Sequence, residues 1–238
     1  MFYMNFTYLL FALPGMLLAA WAQYKVTSAY RRASQISSHQ GFTGAQAASH
    51  MLQAYGVGGL GIEPIAGEMT DHYDPKYKVL RLSEGVYAST SLAAVGIAAH
   101  EAGHALQDAQ RYPLLVTRGA MVPLANVAGN LSWFIIMGGM LLLATGAILG
   151  KAVLLVGVAL FSVTVLFQLV NLPVEFDASR RARIALVEQG IVSPDEDLEV
   201  KKVLDAAALT YLAGTLTGIL TLVYYLYESG LLGGGRND

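Results

Sequence analysis

AVLLVGVALFSVTVLFQLV, running from Ala152 to Val170, holds no Asp, Glu, Lys or Arg over 19 residues. A bilayer core takes about 20 mostly apolar residues per spanning helix. A soluble helix of that length normally keeps a charged or polar face, and no charged face exists here, so the stretch reads as a membrane span. Three further windows share its character: Phe2 to Ala22, Val122 to Leu149 and Ala206 to Tyr227. Each lacks the four charged residue types, as burial in hydrocarbon demands. The chain as a whole is 55% hydrophobic and 13% charged over 238 residues, where soluble domains carry about a quarter charged residues. No basic residue precedes the first window, and Lys25, Arg31 and Arg32 follow it, which suits a retained anchor rather than a cleaved leader. The expected fold class is mainly α, with four transmembrane helices.

Basic residues orient these helices. Lys25, Arg31, Arg32, Lys76, Lys78, Arg81, Arg111 and Arg118 lie between the first two windows, and Arg180, Arg181, Arg183, Lys201 and Lys202 between the last two. Only Lys151 separates the second window from the third, and only Arg236 follows the fourth. The positive-inside rule then puts both longer loops in the cytoplasm and both termini outside. The expected organisation is a first span at 2–22 and a cytoplasmic segment at 23–118. A membrane hairpin at 122–170 follows, then a second cytoplasmic segment at 171–205, a fourth span at 206–227 and a tail at 228–238. Asn126, Asn130 and Gln168 are expected near the cytoplasmic interface. The net charge of −2 gives no reason to invoke nucleic acid. With no cysteine in the chain, any bound metal must use His and carboxylate.

The first cytoplasmic segment has its own elements. Thr43 to Tyr55 reads as a helix capped by Thr43, with Ala47, Met51, Leu52 and Tyr55 at helical spacing. Gly56, Gly58, Gly59 and Gly61 break the chain, and TDHYD at Thr70 to Asp74 suggests a turn before Pro75. Lys78 to Ser83, KVLRLS, alternates as a strand does. Ser91 opens a long helix through Gln110.

Within that helix stands His100-Glu101-Ala102-Gly103-His104, an H-E-x-x-H motif. Side chains at i and i+4 lie one above the other on a helix, so both imidazoles can reach one cation. Glu101 projects beside them, where it can take a proton from water activated by that cation and pass it to a leaving amine. The metal implied is zinc, one per chain. Catalytic zinc takes three protein ligands and keeps one position open, so a third ligand is needed. Gln107 and Gln110 stand where a metzincin would place its glycine and third histidine. Three carboxylates remain. Asp108 follows His104 by four residues. Asp205 follows Leu204 at the start of the last window, like the Leu-Asp pair of site-2-type intramembrane proteases. Glu175 lies in NLPVEFDASR, in the first turn of a helix expected to open at Pro173 and run through Arg183. Asp177 faces roughly the other way and reads as structural. Of the other histidines, His39 and His50 read as solvated or packing residues. His72, in the turn leading to the KVLRLS strand, could donate to the tetrahedral oxyanion.

The chain resembles the YugP-like neutral zinc metallopeptidases of bacterial membranes, related to the HtpX and Ste24 group of gluzincins. Thr43-Gly44 with its helix, the stretch from Leu60 to Pro75 ending in TDHYDP, KVLRLS, SLAAVGIAAHEAGHALQ, NLPVEFDASRRA and VLDAAALTYLA carry the likeness. It implies a small α+β gluzincin-like zinc peptidase domain alongside the transmembrane helices, with Glu175 as the ligand glutamate. It also implies that Val79, Leu80, Arg81, Leu82 and Ser83 form an edge strand on which an extended substrate is laid. The related enzymes carry an aspartate four residues beyond the ligand glutamate, where this chain has Ser179, so support of the zinc histidines must differ. The resulting expectation is a multi-pass protein of the bacterial cytoplasmic membrane. Its site faces the cytoplasm, and its partners are a protein or peptide substrate and the lipid bilayer. Two other readings are an intramembrane protease using Asp205 and a catalytically silent zinc-bound scaffold in a membrane complex. Retention of Glu101 speaks against the scaffold, since a structural site needs no general base.

Overall fold

The computed structural model describes residues 6–232. Residues 2–5 of the expected first span and 233–238 of the expected tail lie outside the described residues. The elements follow in the order α1 (Phe6–Ala33), α2 (Gly44–Ala54), β1 (Gly61–Ile65), β2 (His72–Asp74), β3 (Val79–Ser83), α3 (Glu84–Tyr87), α4 (Leu92–Ala109), α5 (Pro113–Ala144), α6 (Gly150–Glu188) and α7 (Pro194–Glu228). The chain is thus a mainly α membrane protein with a small α+β part. Helices α1, α5, α6 and α7 are each long and apolar enough to cross a membrane.

Two compact units divide the chain. One comprises the described residues of Met1–Trp21, Thr117–Asn171 and Tyr211–Asp238. Its helices meet through small residues: a Cβ on Gly139 of α5 would sit 2.5 Å from the Leu154 nitrogen of α6. Ile136, Leu154 and Val158 form its buried cluster, flanked by Phe161, Leu222 and Tyr225. Close backbone approach is the usual way helices associate where lipid is as apolar as leucine. Of the three amides expected near the interface, Gln168 packs its Oε1 toward Gly218, while Asn126 and Asn130 stand exposed.

The second unit, Ala22–Val116 with Leu172–Thr210, holds the α+β part. Its centre is α4, whose Ala93, Ala98, Ala99, Ala102 and Leu106 are buried. Around α4 lie Met51 and Leu52 of α2, Leu80 and Leu82 of β3, Ala182 and Leu186 of α6, and Val200 and Val203 of α7. The local signals act as expected at two starts. Thr43 accepts from the Gln46 backbone while the Gln46 side chain accepts from Thr43 N–H, a full capping box. Ser91 Oγ accepts from Ala94 N–H at 3.2 Å and opens α4.

The sheet is ordered β1-β3-β2, with β1 parallel and β2 antiparallel to β3. The expectation that Val79, Leu80, Arg81, Leu82 and Ser83 form an edge strand is therefore corrected: β3 is central, bonded on both sides. The physical reason is its apolar content, since Val79, Leu80 and Leu82 are buried and a strand covered on both faces belongs mid-sheet. Arg81 ties all three strands, bonding Glu63 of β1 and Asp74 of β2, each at 2.7 Å. Two further differences concern breakers. The expected turn at Thr70 to Asp74 supplies strand β2, and the reversal falls later, where Asp74 Oδ1 accepts from Lys76 and Tyr77 N–H. Pro173 does not open a helix but lies inside α6. A proline forfeits one intrahelical hydrogen bond, and the long run on either side keeps the helix continuous.

Candidate metal centre

His100 and His104 project from one face of α4, with ring centroids 4.8 Å apart. Glu175, on α6, enters from the other side, and the residue is 3% exposed. Its Oε2 lies 3.3 Å from His100 Nε2 and 3.6 Å from His104 Nε2. Donors about 2.0–2.2 Å from one tetrahedral ion stand about 3.3–3.5 Å from one another, so the two distances to Glu175 suit a shared zinc ion. Among the described residues they are the group of His, Asp and Glu that could hold a metal.

Gly103 makes this approach possible. A Cβ there would sit 2.5 Å from the Ala178 carbonyl oxygen. The residue between the motif's two metal-facing positions is thus where α6 lies against α4, one turn beyond Glu175.

The partners of each imidazole complete the centre. His100 Nδ1 lies 3.0 Å from Ser179 Oγ, so Ser179, four residues beyond Glu175, reaches a histidine of the centre. His104 Nδ1 lies 2.9 Å from Gln107 Oε1. Sequence reasoning used Gln107 only to exclude another family of zinc sites. Its role depends on residues some seventy positions away, though its place three residues after His104 was a usable signal for a same-face neighbour. Asp177 bonds Gln107, Arg180 and Arg181, in keeping with its structural reading.

Glu101 points toward the sheet, and its Oε2 accepts from Tyr73 N–H at 3.0 Å. The Tyr73 hydroxyl in turn donates to Asp108 Oδ2 at 2.5 Å, and Lys78 also reaches that carboxylate. Burial raises the Tyr73 phenol above its ordinary pKa, and the Asp108 bond and charge raise it further, so it stays a protonated donor. Asp108 is thereby committed to β2 and its turn. His72 Nδ1 bonds the Thr70 carbonyl at 2.7 Å. Asp205 pairs with Lys201 on α7, its side chain 58% exposed, and is not in the His100–His104–Glu175 group. Burial disfavours the charged form of His104, but the Glu175 bond and the Glu101 charge outweigh it, leaving its pKa above the ordinary value.

No solved structure matches the chain. A curated relative, "Putative membrane protease YugP" of Bacillus subtilis (strain 168), is 42% identical over 224 residues, covering 94% of this chain and 96% of the relative. The family model described as "Putative neutral zinc metallopeptidase" matches residues 8–229. With a His-His-Glu group on two helices and a match along almost its entire length, the chain belongs to that family of neutral zinc metallopeptidases.

Proposed function

We propose that the protein is a membrane-embedded endopeptidase of the HExxH gluzincin type, holding one zinc on His100, His104 and Glu175. The observation that carries this reading is the convergence of those three side chains beside Glu101. Zinc bound there supplies Lewis acidity, which raises the acidity of water and polarises a scissile carbonyl. Glu101 is the general base. Its carboxylate takes a proton from the attacking water and delivers it to the leaving amine as the carbon–nitrogen bond breaks. The Tyr73 N–H holds that carboxylate in place between the two transfers.

Substrate binding moves from β3 to β2. Tyr73 sends its N–H to Glu101 rather than to β3, so in an extended strand its carbonyl shares that outward side. An extended peptide adding to this edge runs beside Glu101, by the strand-addition mode. His72, one residue before, is the proposed oxyanion donor. The excess of basic residues in the two longer loops supports a site facing the cytoplasm of a bacterial membrane.

One experiment tests chemistry and side together. In inverted membrane vesicles the wild-type protein should cleave added casein-like substrate, and in right-side-out vesicles it should not. Glu101→Gln should cleave in neither while keeping near-stoichiometric zinc. Cleavage by Glu101→Gln at the wild-type rate would remove the proposed mechanism, and cleavage confined to right-side-out vesicles would reverse the orientation.

A further inference from the structure

His104 can hold a metal through Nε2 only if its proton sits on Nδ1. Gln107 Oε1 lies 2.9 Å from that Nδ1. Which end of a glutamine amide faces a neighbour is decided by its other bonds. Gln107 Nε2 lies 2.8 Å from the Val174 carbonyl oxygen and 3.0 Å from Asp177 Oδ2. A carbonyl and an ionised carboxylate only accept, so both hydrogens of the amide are spoken for. The oxygen must then face His104, and the imidazole must donate from Nδ1. Gln107 is wholly buried, and all three of its polar partners are protein groups. Asp177 is itself fixed by Arg180, at 2.5 Å, and by Arg181, which also reaches Gln110 on the end of α4. His100 has no equivalent. Ser179 Oγ can donate or accept, so it sets neither orientation nor tautomer.

We propose that Gln107 is the positioning residue that fixes the metal-binding tautomer of His104, and that Asp177 is the group that orients Gln107. The proposal rests on the zinc-site reading above. It joins the two helices that carry the ligands, because Gln107 lies on α4 while Val174 and Asp177 flank Glu175 on α6. Partners that orient a ligating histidine are typically worth about 10- to 100-fold in metal affinity.

The test exchanges donor and acceptor across the pair, using the full-length protein in detergent and zinc affinity by competition with a chromophoric chelator. Gln107→Leu should weaken zinc about 10- to 100-fold. Gln107→Glu should also weaken it, because the new carboxylate faces Asp177 with no hydrogen to give. Combining Gln107→Glu with Asp177→Asn restores an acceptor toward His104 and a donor from residue 177, while the Val174 carbonyl stays without its donor, so affinity should rise at least about threefold above Gln107→Glu without reaching wild type. A role limited to packing predicts no such recovery. Gln107→Leu binding zinc within about twofold of wild type, or a double variant no better than Gln107→Glu, overturns the proposal. Should Gln107→Leu fail to fold, the Gln107→Glu pair decides alone. His104→Ala retaining wild-type affinity would instead bring down the metal-site reading, and this proposal with it.

Discussion

The two units bring helices together by opposite means. In the unit that carries the metal centre, Leu106 of α4 is 2% exposed and sits in a continuous apolar core with residues from α2, β3, α6 and α7. In the unit containing Thr117–Asn171, Leu141 is 67% exposed and Phe134 66%, and the helix contact at Gly139 is made by backbone against backbone. Burial of apolar surface drives association where water is the alternative, and it supplies nothing between helices already surrounded by lipid. The lesson is that one residue type means different things in different places: Leu106 organises a core, while Leu141 coats a helix whose contact with its neighbour, at Gly139 and the buried Leu154, is made through backbone.

The largest expected effect belongs to the metal. Structural zinc contributes on the order of 10 kcal/mol of binding energy that is partly folding energy. Glu175→Ala should therefore lose most of its zinc and all activity. It should also speed hydrogen exchange in α4 and β2, leaving exchange in α5 unchanged. Asp205→Ala and Asp108→Ala should keep their zinc. Full zinc in Glu175→Ala with loss in Asp205→Ala would move the centre to another part of the chain.

A middle-sized effect separates the two kinds of leucine. Leu106→Ala leaves a cavity in a packed core and should destabilise its unit by about 2–5 kcal/mol. Leu141→Ala removes only outward surface and should stay within about 0.5 kcal/mol. Equal losses in thermal unfolding for both would erase the distinction drawn between the units.

The smallest effect is a pH dependence. Burial, outweighed by the Glu175 bond and the Glu101 charge, leaves the metal-free His104 with a raised pKa. His104 then keeps its proton to higher pH than a free imidazole, and zinc must displace it. Affinity should fall on acidification by about tenfold per unit once His104 is protonated, or about 1.4 kcal/mol. The metal-free fold goes the other way: its His104 contribution is complete below the unfolded pKa and is lost as pH rises through the folded one. A chelator-competition series that stays flat from pH 8 to pH 5.5 would contradict the first half.

How far the sequence could be read follows from the range of the interactions involved. The four spans, the capped starts of α2 and α4 and the HEAGH face all depend on neighbours within one or two turns, and these were legible. Sheet order was not, because β1 and β3 pair across a separation that no periodicity records. Pro173 misled because a proline fits a helix start and a tolerated interior position alike. Glu175 stood beside Asp108 and Asp205 as a candidate, and the family resemblance is what singled it out. Gln107 could not be given its role, because only folding brings it to Val174 and Asp177.

The donor set has a last consequence, for metal supply and thiol reagents. Two imidazoles and a carboxylate contain no thiolate, and the chain has no cysteine anywhere. Thiol-modifying reagents that empty thiolate zinc sites have no ligand to attack here. Such nitrogen and oxygen donors also accept neighbouring divalent ions, with copper held more tightly than zinc. Which divalent ion fills such a site then depends on metal supply as well as on the geometry of the donors.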